Sequence, residues 1–283
     1  MIQKPVAIAG FIAASAVALS AQNYKTALPG TVNYVEGQVS VNGQPLDSRQ
    51  DGAIQLKPNE SLTTANGKAE ILLSPGVFLR AGVNSEIRMV SSGLADPTVE
   101  VVHGSALLEV DRKLKDARFD VLEHGATATI LKEGLYRFDS NRGAVATIDG
   151  KMSVVENGNI QNVGKGHEVV LNGGPLKAVG FDRKAEDDLY RWSSVRSGYL
   201  AQANQSTAAR IYGGYGPYWG NGWYWNPYFA AWSWLPGDGY FYSPFGYSFY
   251  SPAYVVYAPY RFGYGYRSGF APRASGFRGG GRR

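Results

Sequence analysis

Residues 69–89 read AEILLSPGVFLRAGVNSEIRM, and this stretch decides the fold. Its three segments AEILL, VFLR and EIRM are rich in β-branched and other apolar residues, which favour extended structure. Proline, glycine and asparagine interrupt the segments, and these residues are typical of turns. The stretch therefore predicts consecutive short strands joined by tight connections.

The same pattern extends in both directions, from Thr31 to about Val179. Extended segments recur about every 8 to 12 residues between turn residues, and no helical period interrupts them. We therefore predict an all-β domain over residues 22–180, with its core at 31–172. An antiparallel sandwich or roll and a β-solenoid-like fold both remain open, because no strict repeat period distinguishes them.

Dipeptides that tolerate positive φ at both positions mark candidate hairpin turns within this domain. They are Asn66-Gly67, Asp149-Gly150 and Asn157-Gly158.

The order of motifs in the β domain resembles that of the FecR-type domain, a periplasmic module of bacterial iron-dicitrate sensors. The motifs are GQVSV from Gly37, the segment Leu56–Thr64, AEILLSPGVFLRAGVNSEIRM, VEVVHGSALLEV from Val99, RFDVLEHGATATILKEGLYRFD from Arg118, VATIDGKMSVVENG from Val145 and GKGHEVVL from Gly164. Gly104 and Gly134 match turn glycines of that family, whereas Leu135 replaces its usual threonine. The resemblance implies an all-β domain that works by protein contact. Sensors of that family carry an anti-sigma segment before the domain, whereas a signal-peptide pattern is found here, so we do not expect transcriptional signalling.

Residues 181–210 change character and predict a helix. Asp182 is the expected N-cap, and three acids follow near the start. Leu189, Trp192, Val195 and Tyr199 fall at helical spacing and form one apolar face. We expect Trp192 to dock this face on the β domain, with partner binding as the alternative.

Residues 211–270 form an aromatic segment with 25 Tyr, Trp and Phe side chains in 60 residues, broken by Gly and Pro. The cost of ordering this backbone is of the same order as the gain from burying its rings, so we expect it to pack on the β domain, on another copy or on an envelope partner. The tryptophans repeat with period two, as on a strand face. The binding candidates are Trp223, Tyr224, Trp225, Trp232, Trp234, Tyr240 and Tyr242. Residues 271–283 are Gly- and Arg-rich and predict disorder.

The first 21 residues have the layout of a secretory signal peptide, with Lys4, an apolar run and small residues at the expected cleavage site. An uncleaved membrane anchor is the alternative. After cleavage we expect no transmembrane helix and a periplasmic, outer-surface or secreted location.

The net charge of +5 lies entirely in residues 211–283, which hold six arginines and the single acid Asp238. Outside the cytoplasm, such a tail meets anionic glycan and lipid headgroups before nucleic acid.

No catalytic, cofactor or metal site is indicated by the sequence. It has no cysteine, and its three histidines lie in glycine turns without the spacing of zinc ligands. The acids Glu100, Glu109 and Asp111 could share a sheet region, but nothing else suggests catalysis.

The leading hypothesis is therefore a non-enzymatic envelope protein that binds an envelope protein, an anionic glycan or peptidoglycan through its aromatic residues. Self-assembly into a surface or matrix layer is the alternative. Nucleic-acid binding by the FRGGGRR end fits poorly with a signal peptide.

Overall fold

A computed structural model of the chain describes residues 26–47, 52–183 and 186–258. The predicted signal peptide at 1–21, the end of the aromatic segment from residue 259 onward and the tail at 271–283 lie outside these ranges, so these predictions are not tested. Within the described ranges, no helix is both long enough and apolar enough to cross a membrane.

The described chain is mostly β structure, which confirms the all-β prediction. The strands of the main sheet are β1 Thr31–Val41, β2 Gln44–Pro45, β3 Ser61–Ser74, β4 Val77–Ala81, β5 Ser85–Ser91, β6 Thr98–His103, β7 Ser105–Val110, β8 Asp120–Glu123, β9 Ala126–Ile130, β10 Gly134–Asp139, β11 Ala144–Asp149, β12 Lys151–Glu156, β13 Asn159–Gly164, β14 His167–Val170 and β15 Val179–Gly180. A helix, α1 Asp188–Tyr212, follows the sheet. Two hairpins come next, formed by β16 Gly222–Asn226 with β17 Ala231–Leu235 and by β18 Tyr240–Tyr242 with β19 Ser248–Tyr250, and a 3-10 turn spans Val255–Tyr257.

The fifteen strands form one sheet in the order β13-β12-β9-β8-β6-β5-β3-β4-β7-β10-β11-β14-β15, and β1 pairs with β2 and β3. All neighbours are antiparallel except β6 and β8. The sheet curls on itself, since β13 at one end of this order contacts β11 and β14 near the other end. Thr147 on β11 donates a 3.0 Å hydrogen bond to the Val163 carbonyl on β13 and ties these two parts together. The antiparallel roll is thus the arrangement found.

The concave side of the sheet holds the main core. Alternate strand residues such as Ile71, Leu79 and Leu108 point into it and are fully buried. The residues between them, such as Leu72 and Phe78, point outward, yet they are equally buried. Strands β3, β4 and β7 are therefore covered on both faces, which explains their nearly continuous apolar sequences.

One of the three predicted hairpin turns is a hairpin. Asn157 and Gly158 both have positive φ and join β12 to β13. Asn66-Gly67 lies inside β3, where Gly67 opposes Gly37 and a Cβ at Gly67 would come within 2.6 Å of two backbone oxygens on β1. Asp149-Gly150 connects β11 to β12, which pair with other strands.

The N-cap of α1 is Asp187, so the prediction of Asp182 was wrong. The Asp187 carboxylate accepts a 2.7 Å hydrogen bond from the amide of Tyr190, three residues later, as is typical of an N-cap side chain.

Candidate functional site

The outer face of β3, β4 and β7 carries a buried network of charged side chains. Glu70 on β3 lies opposite Arg80 on β4, and Glu109 on β7 is next to them. Arg80 donates from Nε to Glu70 Oε2 at 2.9 Å and from Nη1 to Glu109 Oε2. All three side chains are fully buried. Charged groups in such a place require a polar partner to cover them.

Helix α1 supplies that partner through its polar face. Arg196 Nη2 donates to Glu70 Oε1 at 2.9 Å, and Ser197 Oγ donates to Glu109 Oε1 at 2.7 Å. Burial raises the pKa of Glu70, but the Arg196 and Arg80 cations outweigh burial and hold that pKa below its usual value. The two cations therefore keep Glu70 charged, and the network attaches the helix to the sheet.

Asp111, two residues beyond Glu109 on the same face, behaves differently. Burial and the nearby Glu109 carboxylate raise its pKa well above the usual value. Neither of its carboxylate oxygens has a hydrogen-bond partner within the described chain. Glu100, by contrast, pairs with Arg88 away from this face. The three acids that the sequence analysis grouped do not line a common cleft.

The first aromatic hairpin lies on this outer face, with Trp223 opposite Trp234 and Trp225 opposite Trp232. Asn33 on β1 accepts from the Trp232 amide at 2.8 Å and donates to the Trp232 carbonyl at 3.0 Å. The side chain of Asn33 thus acts as a strand partner for β17. The period-two spacing of the tryptophans did indicate strands.

A second hydrophobic core forms between sheet, helix and hairpins. The Phe78 ring meets the Trp223 ring edge-on at 5.2 Å between centroids, and Trp234 lies 5.6 Å from Phe249 of the second hairpin. Leu200 of α1 completes the contact and is fully buried. Some of the rings of the described aromatic segment, including Trp223, Trp234 and Phe249, are therefore packed on the β domain and α1, and the β domain is one of the three partners expected from the sequence.

Asn204 joins the two hairpins to the helix. Its Nδ2 donates to the Trp234 carbonyl at 2.8 Å and to the Tyr250 carbonyl at 3.0 Å, and its Oδ1 accepts from the Tyr250 amide at 2.8 Å. One buried amide thus satisfies backbone groups from β17 and β19.

The structure divides the seven predicted binding residues into two groups. The buried group is Trp223, Tyr224, Trp232 and Trp234, each at most 7% exposed. The exposed group is Trp225 at 37%, Tyr240 at 49% and Tyr242 at 64%. The buried four belong to the core, so their faces are not offered to a ligand. The exposed three stay candidates for binding.

Tyr240 and Tyr242 belong to a larger exposed cluster. The Tyr240 ring lies 5.5 Å from Tyr242 and 6.5 Å from Tyr254, and Tyr254 lies 6.0 Å from Tyr257. Tyr254 is 36% exposed and Tyr257 is 75% exposed. These four residues are called the tyrosine cluster below. The sequence analysis missed Tyr254 and Tyr257, although their spacing after Tyr250 could have indicated them.

Each histidine contacts neighbouring protein groups. His124 Nε2 lies 2.6 Å from the Ser140 carbonyl, His167 Nδ1 lies 3.0 Å from the Lys165 carbonyl, and His103 is 3.7 Å from a Glu86 oxygen. Within the described ranges, no three His, Asp or Glu side chains are grouped as metal ligands would be.

The fold and this surface define a class: a curled all-β domain whose outer face is covered by one helix and two aromatic hairpins. No model of a known protein family matches the chain, and no curated protein matches it. Two crystal structures of a protein titled a "putative anti-sigma factor" from Parabacteroides distasonis ATCC 8503 are similar to part of it, both at 15% identity. One has a TM-score of 0.38 and covers 49% of this chain and 65% of its own; the other has a TM-score of 0.37 and covers 53% and 72%. The chain thus spans about two thirds of the length of these relatives, and the similarity does not establish a family.

Proposed function

We propose that this chain is a non-enzymatic, exported cell-envelope protein that binds an envelope protein or glycan through its tyrosine cluster. The exposed, mutually contacting rings of Tyr240, Tyr242, Tyr254 and Tyr257 carry the proposal. Tyrosine faces offer apolar area with a polar rim, which suits both sugar stacking and protein interfaces. The signal-peptide pattern of residues 1–21 supports the exported location.

The β domain acts as the scaffold in this proposal. Tyr250, at the end of β19, is 9% exposed, and its backbone is bonded to Asn204 of α1. The hairpin that bears the cluster is therefore attached to a packed core, and rings held in place lose little entropy on binding. The resemblance of residues 31–172 to FecR-type domains, which work by protein contact, agrees with this role.

The test is co-sedimentation of the purified chain with bacterial envelope fragments and, separately, with purified peptidoglycan. Tyr240→Ser combined with Tyr242→Ser should reduce the bound fraction several-fold. Tyr212→Ser, which alters a tyrosine that is 60% exposed at the end of α1, is the matched control and should leave it unchanged. Equal binding by both variants and the unaltered chain would show that the cluster is not the binding surface.

Self-assembly is the second candidate, favoured by the low charge of residues 211–258, the segment that carries the cluster. Asp238 is the single charged residue between positions 211 and 258, so little repulsion opposes contact between two copies. Sedimentation velocity distinguishes the two candidates. A mass that rises with concentration, and falls back to the monomer in the Tyr240→Ser, Tyr242→Ser chain, supports self-assembly; a monomer at all concentrations supports binding to another partner.

A further inference from the structure

Two adjoining grooves flank the connection between β7 and β8. The first, called the Arg112 groove, has a volume of about 520 Å³ and lies between Arg112 and the turn at residues 236–239. The second, called the lysine groove, has a volume of about 450 Å³ and is lined by Lys113, Lys115 and Lys132 together with one acid, Glu133, whose Oε1 accepts from the Lys113 amide at 3.2 Å. Leu114 lines both, so the two grooves are neighbours, and together they are called the depression below.

Cations outnumber acids in this depression, where Glu133 and Asp238 are the acids that line it. Arg112, Lys115 and Lys132 form no ion pair within the described ranges, in contrast to cations such as Arg88 and Arg142 elsewhere on the surface. Lys113 Nζ donates a 2.6 Å hydrogen bond to the Ala117 carbonyl. Unpaired cations lining one depression favour an anionic ligand.

Arg112 is held in position by an aromatic ring. Its guanidinium carbon lies 4.8 Å from the centroid of Phe241, within the range of a cation–π contact. Gly76 permits the approach of this segment to the hairpins, since a Cβ there would lie 3.1 Å from Arg112 Cβ and 3.2 Å from Trp234. A guanidinium fixed in this way can bind a carboxylate through two parallel hydrogen bonds.

The remaining polar groups of the Arg112 groove suit hydroxyl groups. Asp238 is exposed, and one of its carboxylate oxygens accepts from the Gly239 amide at 2.8 Å. Its other oxygen has acceptor capacity for a ligand hydroxyl. Asn221 accepts from the Trp234 indole at 2.7 Å, which leaves its amide nitrogen as a donor. A sugar has hydroxyl groups that can donate to this carboxylate, whereas a polyphosphate chain has none.

We propose that the neighbouring Arg112 and lysine grooves bind an acidic polysaccharide chain with carboxylate-bearing sugar units. Arg112, Lys115 and Lys132 bind the carboxylates, while Asp238 and Asn221 bind sugar hydroxyls. This inference rests on the proposed function, since it names a ligand class and a site for an envelope-binding protein. It does not involve the tyrosine cluster, so the two can fail separately.

The first experiment is calorimetric titration of the full chain with galacturonic acid hexamers at low salt, compared with uncharged galactose hexamers and with polyglutamate. The uronic acid hexamer should bind, and the other two should bind at least tenfold more weakly. No binding of the hexamer, or equal binding of polyglutamate, would overturn the proposal.

Variants separate sugar recognition from simple charge attraction. Arg112→Gln with Lys115→Gln should weaken hexamer binding about tenfold or more. Lys57→Gln with Lys177→Gln, which removes the same charge from exposed positions elsewhere, should change it less than twofold. Equal losses in the two double variants would assign the binding to net charge and overturn the proposal.

The variant Asp238→Asn separates sugar recognition from simple charge attraction most clearly, because the two predict opposite changes in affinity. If Asp238 accepts sugar hydroxyls, this variant weakens binding several-fold; if the depression merely attracts anions, removing a negative charge tightens binding. Tyr240→Ser with Tyr242→Ser should leave hexamer binding unchanged. If hexamer binding is absent while envelope co-sedimentation persists and depends on the tyrosine cluster, the proposed function stands and this inference fails.

Discussion

Asn33 on β1 and Trp232 on β17, 199 residues apart in the chain, exchange two hydrogen bonds through one side-chain amide. The same amide nitrogen also reaches Glu70 Oε1 at 2.9 Å. Asn33 is fully buried, so each of these bonds replaces one that water would otherwise make. The first strand of the β domain thereby positions the first aromatic hairpin.

Asn33→Ala should destabilise the chain by about 1–3 kcal/mol, because it leaves the buried Trp232 amide and carbonyl without partners. Urea denaturation measures the loss, and amide hydrogen exchange should show faster exchange at Trp232. Asn162→Ala, at an exposed position of β13, is the control and should change stability by less than about 0.5 kcal/mol. Equal stability of the two variants would mean that the hydrogen bonds between Asn33 and Trp232 contribute nothing to stability.

Arg196→Leu should destabilise the chain by about 3–5 kcal/mol, since it removes one of the two cations that compensate the buried Glu70 carboxylate. Arg210→Leu, at an exposed position in the last turn of α1, should cost about 1 kcal/mol or less. Thermal or urea unfolding compares the two. Similar losses in both variants would contradict the role of the network in attaching the helix.

The β domain could be predicted from the sequence because alternation and turn residues are local signals. The strands around residues 69–89 follow from their β-branched and apolar content, and the hairpin at Asn157 follows from its turn dipeptide. Asn66-Gly67 was wrongly predicted as a hairpin turn. Gly67 is needed instead because it faces Gly37 at a β-bulge of β1, where a Cβ would be too close to the backbone. That demand comes from a distant strand and is invisible locally.

The docking face of α1 was predicted correctly at its start, where Leu189 is 5% exposed and the Trp192 indole donates to Glu36 Oε2 of β1 at 2.9 Å, and wrongly further along, for a physical reason. Val195 and Tyr199, assigned to the docking face by helical spacing, are 69% and 37% exposed. The helix instead buries Arg196, Ser197 and Asn204, because the surface beneath it is charged and the hairpins beside it offer backbone groups. Hydrophobic periodicity assumes an apolar partner. The charged residues Glu70, Arg80 and Glu109, which interrupt otherwise apolar strands, could have indicated a polar contact surface for the helix.

The sequence indicated which aromatic residues could form the binding site, but not which of them are exposed. Period-two spacing identified the strands and places Trp223 and Trp225 on one face, but it could not tell how much of each ring other elements cover. Trp225 and Trp223 share a strand and differ sevenfold in exposure, at 37% and 5%. Phe78 on β4, whose ring meets Trp223 at 5.2 Å, accounts for part of that difference.

Trp234→Ala should cost about 3–5 kcal/mol, because the side chain is fully buried against Phe249 and Phe241 and its removal leaves a cavity. Trp225→Ala removes the same atoms from the partner strand of that hairpin. We expect a loss of about 1 kcal/mol there, since the ring is exposed and contacts mainly Trp232. Urea denaturation of the two variants should show this difference. Equal losses would contradict the packing of the hairpin on the sheet.

The final prediction concerns pH and the buried Glu123 at the end of β8. Burial, reinforced by the nearby Asp139 carboxylate, raises the pKa of Glu123 to about 8 from 4.5. Neither of its carboxylate oxygens has a hydrogen-bond partner within the described ranges. The folded state therefore binds more protons than the unfolded state between about pH 4.5 and 8. The contribution of this group to stability is complete below about pH 4.5, falls as the pH rises and is lost above about pH 8.

Glu123→Gln keeps the shape of the side chain without the ionisation. It should be more stable than the unaltered chain at pH 9 by about 1–4 kcal/mol, and the advantage should shrink towards pH 5. Asp116→Asn, at an exposed position, is the control, and its free energy of unfolding should change with pH in the same way as that of the unaltered chain. Urea unfolding at pH 5, 7 and 9 measures all three chains. If the difference between Glu123→Gln and the unaltered chain does not change with pH, Glu123 ionises at its ordinary pKa and the buried acid does not control the alkaline stability.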